Sequence, residues 1–147
     1  MFDLRTGKLV DIAVKDPRTP EDWFASVVAG HWAAWVASES GSQATSLYLA
    51  DLLTGQAQRL LDEGASGEIA LSEEWLLWTD ASGTLLGYHL ADMTPVHVAG
   101  VLVSGEQVRN LQVTGDAAVL MVVNQETQSI GPDLPPRWTA IRVVRLR

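Results

Sequence analysis

Apolar residues fall in short runs along this chain, each about the length of a β-strand and bounded by turn residues. Ser26-Val27-Val28-Ala29 is followed across Gly30-His31 by Trp32-Ala33-Ala34-Trp35-Val36-Ala37-Ser38, and later come Ser46 to Ala50 and Gln56 to Leu61. The runs are too short for amphipathic helices and rich in aromatic and β-branched residues, so they predict four strands, A to D. Turn chemistry separates them: Ser40-Gly41-Ser42 between B and C, and Asp51-Leu52-Leu53-Thr54-Gly55 between C and D. There the Asp caps its own turn and the Gly supplies positive φ. The B strand is apolar on both faces, since Trp32, Ala34 and Val36 alternate with Ala33, Trp35 and Ala37, so it must be covered on both sides. Thr19-Pro20-Glu21-Asp22 has the form of a helix start, which predicts one helical turn over Pro20 to Phe24 and no more, because Val27, Val28 and Gly30 oppose continuation.

The pattern recurs. Trp32 and Trp35 are echoed by Trp75 and Trp78, both displaced by 43 positions, each pair preceded by a strand-like segment, Ser26 to Ala29 and Ile69 to Ser72. Leu47-Tyr48-Leu49-Ala50-Asp51 is matched by Gly87-Tyr88-His89-Leu90-Ala91-Asp92 at a displacement of about 41. A third copy takes its A strand from Leu111 to Asp116, its B strand from Ala117 to Asn124 and its C strand from Trp138 to Leu146. A period in the low forties suits four short strands with their turns, and sheets covered on both faces suit blades packed around an axis. The predicted fold is all-β, a single partial β-propeller domain over residues 1–147. Its blades cover about 23–62, 66–99 and 106–147, the third completed by the strand 8–14.

The order of these elements resembles the repeats of TolB-type and related WD40-like propellers, in which a strand, a turn, an aromatic-containing strand and an aspartate-ended strand recur. Leu47 to Asp51 and Asp51 to Gly55 carry the likeness. Those families place Pro-Asp-Gly between the first two strands, where this chain has Ala29-Gly30-His31, Ser72-Glu73-Glu74 and Thr114-Gly115-Asp116. The resemblance implies a binding or scaffolding role, with loops at one end of the blades presented to a protein partner. It also implies a link to enzymes, because related blades form the gating domain of some serine peptidases.

Composition narrows the function classes. Hydrophobic residues make up 47% and charged residues 19%, as in a chain folded throughout. The net charge of −8 opposes a nucleic-acid partner, and Arg142, Arg145 and Arg147 read as decoration of one strand rather than a basic patch. With no cysteine, thiolate metal sites and thiol nucleophiles are excluded. Met1 to Arg5 lacks the features of a secretory signal, and runs such as Ala117 to Val123 are too short to span a bilayer, so a complete chain of this sequence is expected in the cytoplasm.

Neither a catalytic nor a metal-binding constellation is read from the residues, and no cofactor is expected. His31, His89 and His97 lack metal-ligand spacing, although His89 and His97 could converge across a hairpin. Gly64-Ala65-Ser66-Gly67 is too short for a nucleophile elbow. The pairs Glu21-Asp22, Asp62-Glu63 and Glu73-Glu74 point to opposite faces of a strand or lie in turns. Four of the six tryptophans belong to the repeated B strands and are assigned to packing, which leaves Trp23 and Trp138 as candidate contacts.

The expected role is therefore a non-enzymatic interaction or scaffold module. The alternatives are an accessory propeller domain of an enzyme such as a hydrolase, or a propeller that binds a small ligand or sugar. The segment Gln125 to Arg137 interrupts the third copy, and within it Gly131, Pro132, Asp133 and Leu134, with Trp138 beside them, form the expected partner-contact loop. Three blades cannot close a ring, since propellers use about four to eight. The sequence therefore predicts a homodimer forming a six-bladed ring by strand exchange. Leu9, Val10 and Ile12 of one copy's Lys8 to Val14 would pair with the partner strand that carries Ile141 and Val143.

Overall fold

In the computed structural model, described at residues 2–3, 8–9, 21–39, 44–62, 64–65, 68–80, 82–98, 100–103, 105–124 and 138–146, the regular elements are all β-strands. β1 (Phe2–Asp3) and β2 (Lys8–Leu9) form a hairpin. β3 (Glu21–Ala29), β4 (Trp32–Glu39), β5 (Ser46–Asp51) and β6 (Gln56–Leu61) form a four-stranded antiparallel sheet in chain order, blade 1. β7 (Ile69–Leu71), β8 (Trp75–Thr79), β9 (Leu85–His89) and β10 (Thr94–Val98) form blade 2 in the same order. β11 (Glu106–Thr114), β12 (Ala117–Asn124) and β13 (Trp138–Arg145) form the three-stranded blade 3.

The pairing registers show that the blades are repeats. Ala29 faces Trp32 across Gly30-His31, and Thr114 faces Ala117 across Gly115-Asp116. In blade 2 the N–H of Ser72 donates to the Trp75 carbonyl at 2.8 Å across Glu73-Glu74. Trp32, Trp75 and Ala117 therefore begin equivalent B strands, and they pair with Asp51, His89 and Arg145 at the ends of the C strands. The next residue is leucine in all three blades. Its N–H donates to the second residue of the A–B turn: Leu52 to His31 at 2.7 Å, Leu90 to Glu74 at 2.8 Å and Leu146 to Asp116 at 2.7 Å. This bond ties the end of each C strand to the start of its B strand.

Blades pack face to face. Ala34, Val36, Leu47 and Leu49 of blade 1 share one buried cluster with Ile69, Leu76, Trp78 and Leu90 of blade 2. The opposite face of blade 2, with Trp75, Leu77 and Leu85, joins Leu111, Ala118, Leu120, Val122 and Leu146 of blade 3. β7 lies against both β3 and β11, so the three A strands gather on one side. They line a shared hollow of about 330 Å³ with Val27, Val28, Ile69, Ala70, Leu71, Leu111, Gln112 and Val113. Innermost strands around a common space, with sheets interleaved outward, make a propeller-like arrangement.

Several expectations are corrected. Glu21 to Phe24 is strand, not a helical turn: β3 reaches back to Glu21, with a register shift between Trp23 and Ala25. Val27 and Val28 favour strand, and the bulge absorbs the extra residue. The third A strand starts at Glu106 rather than Leu111. Tyr88 and Asp92 are not the counterparts of Tyr48 and Asp51, because register equates Tyr48 with Leu86 and Asp51 with His89. The B–C hairpin is shorter in blade 2, where Thr79 faces Leu85, than in blade 1, where Ala37 faces Ser46. Leu9 pairs with Phe2 inside the chain, and the Asp3–Lys8 pair has the spacing of Asp51–Gln56. This pair uses one edge of the strand that begins at Lys8. Val10 and Ile12 lie outside the described residues.

Candidate functional site

Each C–D hairpin is built by an aspartate that holds its own turn, at a different point in each blade. In blade 1 the Asp51 carboxylate accepts from the Leu53 N–H at 2.9 Å and the Thr54 hydroxyl at 3.1 Å, and these bonds hold its pKa below the ordinary carboxylate value. Gly55 closes that turn with φ +73°. In blade 2 the left-handed position falls on Met93, φ 55°. Asp92, one residue earlier, bonds His89 Nδ1 at 2.8 Å and accepts from the Thr94 N–H at 3.1 Å. The His89 contact first, and Thr94 second, bring the Asp92 pKa down to about 2.

Beside this turn lies a groove of about 440 Å³ between blades 2 and 3. Trp75, Pro95, Val96, Val98 and Leu146 give it apolar walls; His89, Asp92, Thr94, His97 and Arg145 give it polar ones. Trp75 packs on His89 with ring centroids 4.8 Å apart, which fixes one face of the imidazole while Asp92 holds its Nδ1 edge. Arg145 bonds Asp116 at 2.9 Å and is two-thirds exposed, so it can turn toward a ligand at little cost. The groove can grip an extended segment that offers an apolar side chain beside hydrogen-bonding or acidic groups. Blade 1 has a smaller hollow at the matching place, lined by Trp32, Asp51, Gln56, Ala57 and Gln58 among others.

His89 and His97 do converge on one groove, as a hairpin between them allows, but among the described residues no group of three or more His, Asp or Glu side chains could hold a metal ion. His31 sits in the A–B turn against Trp32, ring centroids 4.6 Å apart. Glu73 and Glu74 lie in the corresponding turn of blade 2. Trp32, Trp35, Trp75 and Trp78 belong to the packing, with Trp35 stacked on Tyr48 at 5.2 Å and 4°.

Arg142 is no decoration. It reaches Glu106 through two bonds of 2.5 and 2.9 Å and also donates to the Val101 carbonyl, bridging β13 to the start of β11. Arg142 first, then the Val103 N–H, hold the Glu106 pKa below its ordinary value. Gly131, Pro132, Asp133 and Leu134 lie outside the described residues, as does the side chain of Trp138; the backbone of Trp138 opens β13 opposite Val123. Ile141 and Val143 are exposed on β13. Sequence reasoning brought His89 and His97 together but missed Arg145, which arrives with Leu146 from the next blade; the one signal for it was the C-strand end shared with His89.

No protein-family profile matches the chain. No curated protein matches it. Among solved structures it is similar to a chain from a study of two prolyl endopeptidases and the role of inter-domain dynamics in their catalysis and specificity, with a TM-score of 0.59 and 14% identity. The match covers 86% of this chain and 19% of that one, so this chain spans about a fifth of the protein it matches. Prolyl endopeptidase has a β-propeller domain, and at this identity the likeness concerns fold alone. The described chain is thus an all-β, propeller-like array of antiparallel sheets, and among the described residues no helix is long and apolar enough to cross a membrane.

Proposed function

We propose that the chain is a non-enzymatic interaction module, a rigid scaffold of blades whose turn ends contact a protein segment. One observation carries this reading. Positions such as Trp35, Trp78 and Leu120 recur in register as buried apolar residues, whereas the C-strand end that faces the turns changes from Asp51 to His89 to Arg145. A constant frame that displays varied polar groups suits recognition. The groove around Trp75, His89, His97 and Arg145 is the contact surface in this reading. A random-peptide display selection against the purified chain tests it. Selected peptides should lose about tenfold or more in affinity for a His97→Ala, Arg145→Ala variant, and peptides that bind both proteins alike would refute the groove. Deleting residues 131–137 measures separately whether that segment contributes.

The fold likeness favours a second reading, an accessory blade segment of an enzyme such as a hydrolase. A change in a hydrolase's turnover of a chromogenic peptide when the purified chain is added would support it over the first.

A further inference from the structure

Register makes the two hollows beside the C–D turns members of one row. Each is lined by the tryptophan that opens a B strand, Trp32 in blade 1 and Trp75 in blade 2, and by the last residue of the C strand, Asp51 or His89. Gln56 and Gln58 of blade 1 hold the places of Thr94 and Val96 in blade 2, since Gln56 pairs with Asp51 as Thr94 pairs with His89. Blade 3 has Ala117 where the others have tryptophan, so the row has two aromatic floors among the described residues. The polar walls differ in sign. The blade 1 hollow, about 260 Å³, holds the Asp51 carboxylate, which forms no ion pair among the described residues. Glu73 brings a second carboxylate to that blade junction: its side chain lies so close to Gly30 that a Cβ there would stand 2.7 Å from Glu73 Cγ. The residue equivalent to Glu73 in blade 3 is Gly115, and the larger groove instead gathers His89, His97 and Arg145. There the carboxylates of Asp92 and Asp116 are already paired, with His89 and Arg145.

Resting on the interaction-module reading, we infer that the two hollows read one extended partner segment, a basic side chain entering the blade 1 hollow and an acidic one the groove between blades 2 and 3. An arginine or lysine suits Trp32 and Asp51 together, because a cation is drawn both to an indole face and to a carboxylate. His31 packs on Trp32 at a tilt of 37°, and the ring still lines the hollow. Gln56 and Gln58 offer side-chain oxygens to the remaining N–H groups of a guanidinium. An acidic side chain in the second groove meets Arg145, which has only an exposed pairing with Asp116 to leave. The apolar walls at Trp75 and Leu146 take a neighbouring side chain. The spacing follows from the repeat. Packed sheets lie about 10 Å apart and an extended chain advances about 3.3 Å per residue. Equivalent points on consecutive blades are therefore about three residues apart, and about four where the blades fan outward.

An array of short peptides on a serine background tests it, each carrying one arginine and one glutamate, with a leucine beside the glutamate, at every separation and in both orders. Binding of the purified full chain should peak at a separation of about three or four residues, in one of the two orders. Asp51→Asn keeps the oxygen that accepts from the Leu53 N–H and removes the charge. It should weaken the best peptide by about tenfold in fluorescence anisotropy and leave the analogue with glutamine in place of arginine unchanged. Gln58→Lys, at an exposed position of β6, should do the same without touching the turn. The His97→Ala, Arg145→Ala variant should lose the preference for glutamate and keep that for arginine. Binding that ignores the arginine, or an Asp51→Asn variant that still prefers arginine to glutamine, overturns the inference and leaves the groove between blades 2 and 3 standing. Peptides that need neither His97 nor Arg145, or no binding anywhere on the array, sink the groove reading and this inference with it.

Discussion

Asp92 holds its turn from inside the loop, tied to His89 and Thr94, and its pKa near 2 makes the contact a reporter of pH. The folded value lies below the ordinary carboxylate value of 3.8. The bond therefore adds stability above that range and loses it as pH falls from about 4 toward 2. Carbon-detected NMR titration should place the Asp92 midpoint near 2, and an ordinary carboxylate midpoint would contradict the geometry. Gly87 is a second critical residue. A Cβ there would stand 2.5 Å from the Leu76 carbonyl oxygen and 2.5 Å from Leu77 Cδ2. Gly87→Ala should cost roughly 1–3 kcal/mol in chemical denaturation, where a neutral result would mean the strands lie farther apart. Sequence could not single out Gly87, because its role depends on the β8–β9 register, which the Tyr88–Tyr48 likeness concealed.

Among the elements, the C strand and the leucine after it fasten each blade to its predecessor. Leu90 and Leu146 are 4% and 2% exposed and enter the clusters shared with blades 1 and 2. Leu146→Ala should destabilise by about 2–5 kcal/mol, measured by urea unfolding, whereas Leu52→Ala, on the half-buried equivalent, should cost less. Removing Arg142 leaves the Glu106 carboxylate, 6% exposed, without its cation. Arg142→Ala should cost roughly 2 kcal/mol, and a fully stable variant would contradict the bridge. Most strands were legible from alternation and turn residues: β4 and β5 run one residue beyond their expected ends, and β6 agrees with its expected span. The capping leucine was hidden, since B–C hairpins of different length give Leu52, Leu90 and Leu146 no constant spacing.

At the scale of the whole molecule, the sequence carried the alternation of blades through its paired tryptophans. It also carried the three strands that blade 3 has among the described residues. What it did not carry was which face of each blade meets which neighbour, because both faces of every B strand are apolar and only register tells them apart. The groove was hidden for the same reason, being closed by side chains from two blades. Three sheets interleaved in chain order are the central claim, and Trp75 and Trp78, three residues apart on β8, look in opposite directions under it. NOE spectroscopy on methyl-labelled protein reads this directly. The Trp78 ring should show contacts to methyls of the blade 1 set, Val36, Leu47 and Leu49, and the Trp75 ring to those of the blade 3 set, Leu111, Leu120 and Leu146. Contacts from either ring to the other's set would contradict the blade order.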